Sequence, residues 1–130
     1  MKFEERHTFD RPAQTVMKMY TDRGFFDRKY EAIGALEYEL LEHLDPADLF
    51  SVRYRLLLKS DAPVPEVARR FLGDTVRLVQ LDRWDPAART GRLEIDIKGA
   101  PIRIGADMRV VDEDGGGSVN IQSWSLVCGL

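Results

Sequence analysis

The chain has 130 residues, 44% apolar and 32% charged, the balance of one globular domain and too apolar for disorder. Nineteen basic against 22 acidic residues leave a net charge of −3, which argues against a general nucleic-acid coat whose phosphate affinity needs a basic surplus. No apolar run nears the roughly 18 residues of a membrane span, and the charged start MKFEER does not read as a signal peptide. The single cysteine, Cys128, excludes an intramolecular disulfide and a Cys-based zinc site. A single cytoplasmic domain over 1–130 is the expectation.

Lys2–Phe9 places Phe3, Glu5, His7 and Phe9 opposite Lys2, Glu4, Arg6 and Thr8, the alternation of a short strand. Asp10-Arg11-Pro12 then starts a helix, with Asp10 as the expected cap, Pro12 near the first turn, and Val16, Met17 and Tyr20 as the apolar stripe. Thr21-Asp22 caps a second helix, which carries Phe25, Phe26, Tyr30 and Ile33 at helical spacing and stops at Gly34. Beyond Gly34 the period changes to two. Leu36, Tyr38 and Leu40 form a strand that turns at Asp45-Pro46, and Phe50, Val52, Tyr54, Leu56 and Leu58 form the next, with Ser51, Arg53, Arg55 and Lys59 facing water.

Pro65, with Gly73 beyond, brackets a short helix over 65–72. Residues 74–85 read as a strand ending at Trp84. Leu93, Ile95 and Ile97 then alternate with Arg92, Glu94, Asp96 and Lys98, the strongest strand signal in the chain. After Gly99-Ala100-Pro101, Ile102, Ile104, Ala106, Met108 and Val110 continue the period, and Gly115-Gly116-Gly117 turns into a last strand over 118–127. Strands joined by short turns pair antiparallel, so the expected architecture is α+β: two helices on an antiparallel sheet of about seven strands with one face buried. Residues 31–50 hold six acidic and no basic side chains. Their alternation with Leu36, Tyr38 and Leu40 marks the solvated face of a strand in preference to a cation site.

A strand, two short helices and six meandering strands resemble the START-like helix-grip superfamily of polyketide cyclases, lipid-transfer domains and pollen-allergen-like proteins. Local features resemble one uncharacterised branch of it: Phe9 with Pro12-Ala13, Asp22…Phe25-Phe26…Lys29-Tyr30…Gly34-Ala35, Val64-Pro65…Val67…Phe71-Leu72-Gly73, Trp84, and Gly99-Ala100-Pro101…Gly105. These are aromatic, glycine and proline punctuation, which specifies fold better than chemistry. The resemblance implies a sheet curled around a long C-terminal helix with an apolar ligand between them. This chain stops at Cys128-Gly129-Leu130, where that helix would begin. Ten apolar-face side chains, among them Tyr38, Tyr54, Leu93, Ile95, Ile104 and Met108, would forfeit about 15–30 kcal/mol if left wet, against a net stability of about 5–15 kcal/mol. The two N-terminal helices can cover part of that face; for the rest, self-association, one sheet face covering another, is expected in preference to a truncated chain.

Candidate chemistry is sparse. His7 and His43 with nearby carboxylates suggest zinc, but no HxH or HExxH spacing supports it, so neither a metal nor another cofactor is expected. Gln80 and Asp82 share parity with Val76, Leu78 and Trp84. An inward Asp82 would suit acid–base work or ligand orientation, whereas the commoner arrangement turns Val79 and Leu81 inward instead. Tyr38 and Tyr54 each offer a hydroxyl to a polar ligand atom, or else tie it to backbone. Ser123 and Ser125 lack a GxSxG or triad context, the triglycine lacks the helix and lysine of a phosphate cradle, and Cys128 has no local cations.

Three functions remain. The leading one is non-catalytic binding of a hydrophobic small molecule or lipid on the concave face, lined by Tyr38, Tyr54, Trp84, Ile95, Ile104 and Met108. The second is a cyclase- or isomerase-type enzyme in the same cavity, with Asp82 as the weak catalytic candidate. The third is a structural protein whose apolar face binds another chain. No nucleic-acid partner and no membrane insertion are expected, and an inward Asp82 would favour the enzyme.

Overall fold

The alternation along the chain becomes a single curved antiparallel sheet in the computed structural model, which describes residues 1–59 and 73–128. The elements are β1 (Lys2–Phe9), α1 (Ala13–Tyr20), α2 (Arg23–Ala32), β2 (Glu37–Leu44), β3 (Phe50–Lys59), β4 (Thr75–Asp85), β5 (Thr90–Ile97), β6 (Ile102–Asp112) and β7 (Ser118–Cys128). Sheet order is β1-β7-β6-β5-β4-β3-β2, so the hairpins from β2 to β7 run as a meander and β1 closes onto the last strand. The short helix expected over 65–72 lies outside the described residues.

Register places one row of apolar side chains behind another. Leu56, Leu78 and Ile97 face each other across three strands, and Tyr54, Gln80, Ile95, Ile104 and Leu126 form the next row across five. This parity forms the concave face that α1 and α2 cover. Val16, Met17, Phe26 and Tyr30 sit on the covering helices in the same buried cluster as Trp84, Ile95 and Ile104. Gly91 explains itself here: it lies in register with Trp84, and a Cβ at this position would sit 2.7 Å from the indole ring and from the Arg83 carbonyl.

Three expectations change. Asp10 does not cap α1. The N–H of Ala13 donates 2.8 Å to Oδ1 of Asp112, so the end of β6 does the work that a local residue was expected to do. Asp22 caps α2 as expected, accepting from the Gly24 N–H at 3.0 Å. Ser51, expected in water, is 1% exposed: its short side chain is flanked in register by Leu44 and Arg83.

The largest change concerns the sheet's cover. Of the ten apolar-face side chains, eight (Val52, Tyr54, Leu56, Leu93, Ile95, Ile97, Ile104 and Met108) are at most 8% exposed within one chain. The hydrophobic penalty that called for a second copy is therefore already met. The two exceptions lie on β2, Leu40 partly buried and Tyr38 38% exposed, because β2 is the outer strand and a bulge between Leu40 and Glu42 disturbs its register. The acidic residues of β2 face solvent and meet arginines, Glu37 with Arg77 at 3.4 Å and Glu39 with Arg55 at 3.8 Å.

Candidate functional site: a chamber over the concave face

Between the two helices and the concave face lies a chamber of about 810 Å³. Its apolar walls come from β1 (Phe9), α1 (Met19), α2 (Phe25), β5 (Leu93, Ile95), β6 (Met108) and β7 (Trp124). At its side, His7 Nε2 lies 3.1 Å from Gln122 Oε1 and 3.4 Å from Glu5. Gln122 in turn donates to the Met108 sulfur at 3.6 Å.

The chamber's floor is polar. Gln80 and Asp82 point inward, 8% and 6% exposed, in the parity that β4 shares with Trp84. The commoner arrangement weighed from the sequence is thus reversed for these two, while Leu81 is also buried on the opposite face, at 4%. β4 buries side chains on both faces, which is why its alternation was ambiguous. Gln80 Nε2 donates to Asp82 Oδ1 at 3.1 Å. Burial pushes the Asp82 carboxyl above its ordinary value, because the charged form loses its hydration; the nearby Lys29 ammonium and the Gln80 hydrogen bond pull the other way. The Lys29 ammonium also lies 5.5 Å from the centre of the Tyr30 ring.

Of the ligand-lining residues named from sequence, Ile95 and Met108 border the chamber. Ile104 is buried in the core, 2% exposed, and does not border it. Trp84 is fully buried and stacks on Tyr20 with centroids 4.8 Å apart, so it supports the wall through Tyr20. Tyr54 is inward, but its hydroxyl donates 2.6 Å to Asp27 Oδ1, and burial together with that carboxylate holds the phenol well above its ordinary pKa. The hydroxyl ties β3 to α2 and is not free for a ligand. Tyr38 is exposed at the sheet's margin, away from the chamber.

His7 and His43 sit on β1 and β2, the two opposite edges of the sheet, and cannot share an ion. Among the described residues no group of three or more His, Cys, Asp or Glu is placed to hold a metal. Ser123 and Ser125 alternate onto the convex face, and Gly115 and Gly116 take positive φ values of 93° and 91° in the last hairpin. Sequence reasoning missed Lys29, Tyr20, Phe9 and Trp124 at the chamber. Lys29 had a visible signal: it lies four residues after Phe25, inside the stripe of Phe25, Phe26, Tyr30 and Ile33 where a charge has no ordinary place.

Residues 4–128 match a family described as "Protein of unknown function (DUF2505)". The chain belongs to that family. A search of curated proteins gives no match. Among solved structures, the ZhuI aromatase/cyclase from Streptomyces sp. R1128 aligns with a TM-score of 0.66 at 16% identity, covering 100% of this chain and 69% of that one. Ara h 8.0201 aligns at 0.64 and 18% identity, covering 98% and 78%. A norcoclaurine synthase point mutant from Thalictrum flavum, in complex with a transition-state analogue, aligns at 0.65 and 9% identity, covering 97% and 74%. At these identities the likeness is one of fold: this DUF2505 member has the START-like helix-grip fold of the polyketide-cyclase superfamily. No helix among its described residues is long and apolar enough to cross a membrane.

Proposed function

We propose that this DUF2505 domain binds a mainly apolar small molecule in the chamber between the helices and the concave sheet. The observation that carries the reading is an apolar-walled space of about 810 Å³ with two buried polar side chains, Gln80 and Asp82, on its floor. Ligand sites commonly span about 300–1,000 Å³ and combine apolar walls with a few fixed polar groups. Support from the fold is indirect: norcoclaurine synthase, similar in fold, has been solved in complex with a transition-state analogue. Native mass spectrometry of the gently purified protein, followed by titration with anilinonaphthalene sulfonate, tests it. Expected are a retained adduct or saturable uptake of the dye, and loss of both in Met108→Trp, which fills the chamber. Equal uptake by parent and variant, or none by the parent, overturns the reading.

Asp82 favours a second reading, in which the bound molecule also exchanges a proton. Its carboxyl is buried, faces the chamber and holds its proton to higher pH than an exposed aspartate, a shift in the direction that suits a carboxyl to acid–base work. Exchange of carbon-bound hydrogen for deuterium in a retained ligand, lost in Asp82→Asn, would establish it; exchange unaffected by that substitution would remove it. The third reading, an open apolar face docked on another chain, has lost its driving force because that face is buried within the chain.

A further inference from the structure

Asp82 and Lys29 face the same chamber from opposite layers, β4 below and α2 above, without forming an ion pair with each other. With Asp82 ionised, beside the Lys29 ammonium, the Gln80 amide has only one orientation that fits its neighbour. Its nitrogen must donate to Asp82 Oδ1, which turns its own oxygen away from that bond. The floor therefore retains two acceptors, Gln80 Oε1 and Asp82 Oδ2, and neither has a hydrogen-bond partner among the described residues. Both side chains are more than nine-tenths buried and line the chamber, so it is water or a ligand there that meets these acceptors. The roof supplies the reverse: the Lys29 ammonium has three donors and no acceptor.

Resting on the ligand-binding reading above, we propose that the chamber selects a hydroxyl as its ligand's polar group, held between Lys29 and the Gln80–Asp82 pair. Elimination leads there. An ammonium suits the floor but is repelled by Lys29. A carboxylate suits Lys29 but is repelled by Asp82. A ketone accepts from Lys29 and leaves both floor acceptors unmet. A hydroxyl donates its hydrogen to the floor while its oxygen accepts from Lys29, so one atom meets both sides. Of the other charged chamber residues, Glu5 lies 3.4 Å from His7, and Arg6 pairs with Glu4 at 3.2 Å. Lys29 and Asp82 are then the specificity-determining residues, and the aromatic rings of Phe9, Phe25 and Trp124 take the ligand's apolar body.

Four probes on one scaffold test this by fluorescence titration near neutral pH: pyrene, hydroxypyrene, pyrenemethylamine and pyrenecarboxylic acid. Hydroxypyrene is expected to bind about tenfold tighter than pyrene and tighter than either charged analogue, a difference of about 1.4 kcal/mol. The hydroxypyrene-to-pyrene ratio is expected to collapse toward one in Lys29→Met and in Asp82→Leu, and to be retained in Lys29→Arg, which keeps a charged donor. Cooperative thermal unfolding of each variant shows that it is folded, and Asp82→Asn stands in for Asp82→Leu if the latter is not. Tightest binding by the amine or the acid overturns the proposal, as does a hydroxyl preference that survives both charge-removing variants. Equal binding of pyrene and hydroxypyrene defeats this inference alone, whereas failure of all four to bind defeats the ligand-binding reading with it.

Discussion

An ionised Asp82 works against the fold that buries it. Its folded pKa lies above the ordinary carboxylate value, so between the two the native state holds a proton that the unfolded chain has released. No penalty exists below the ordinary value; stability is lost as pH rises from there through the raised pKa. Asp82→Asn keeps an acceptor for Gln80 and removes the charge, so its melting temperature is expected to exceed the parent's by a few degrees near neutrality. The gap should close in acid; thermal melts across pH check this, and a constant gap would assign the gain to another cause. Tyr54 behaves differently. Tyr54→Phe removes the 2.6 Å bond to Asp27, which keeps Arg23 at 3.7 Å and its share of solvent, and is expected to cost about 1 kcal/mol in urea unfolding, with dye uptake by the chamber unaltered. At this scale the sequence was legible only in part. Parity placed Tyr54 inward, but its partner Asp27 lies on a different element, and no local pattern connects the two. Tyr38 shares that parity and is still exposed, since parity says nothing about which strand lies at the margin.

Periodicity reads well for elements and poorly for their ends. Most strands were visible as alternation, and both helices as apolar stripes, because burial on one face imposes the same period on any sequence. The cap of α1 was not visible, since its acceptor comes from Asp112, 99 residues away. The Asp112 carboxyl is held below the ordinary range, first by the Ala13 N–H and then by Arg89. Its contribution is accordingly present above the ordinary carboxylate pKa and lost as pH falls through the lowered value. Asp112→Ala is expected to lower the melting temperature at neutral pH, and Asp10→Ala, which removes the apparent local cap, to leave it nearly unchanged. Equal losses in the two variants would mean that Asp10 caps the helix in solution. The ambiguity of β4 has the same physical root as its importance: a strand buried on both faces carries no clean alternation, and this one holds the chamber's floor.

As a whole molecule, the chain buries its concave face with its own helices, so native mass spectrometry is expected to give a monomer at micromolar concentration. A stable dimer would require a different contact surface from the sheet face that sequence reasoning pointed to. Saturating ligand should add to stability by mass action, about 2.7 kcal/mol at a hundredfold excess over Kd, and the rise in melting temperature gives a second measure of affinity.

The pairing of β1 with β7, which sets Lys2 opposite Ser125, also orders events in time. Neighbouring strands from β2 to β7 are consecutive in sequence and can zip in order, but β1 finds its ladder only after the last strand exists. During synthesis from the N-terminus, the first strand and the two covering helices leave the ribosome before the surface that buries them has been made. Their apolar stripes, Val16 with Met17 and Phe26 with Tyr30, stay exposed until the strands of the sheet have followed, and this stretch is where a chaperone would engage the nascent chain.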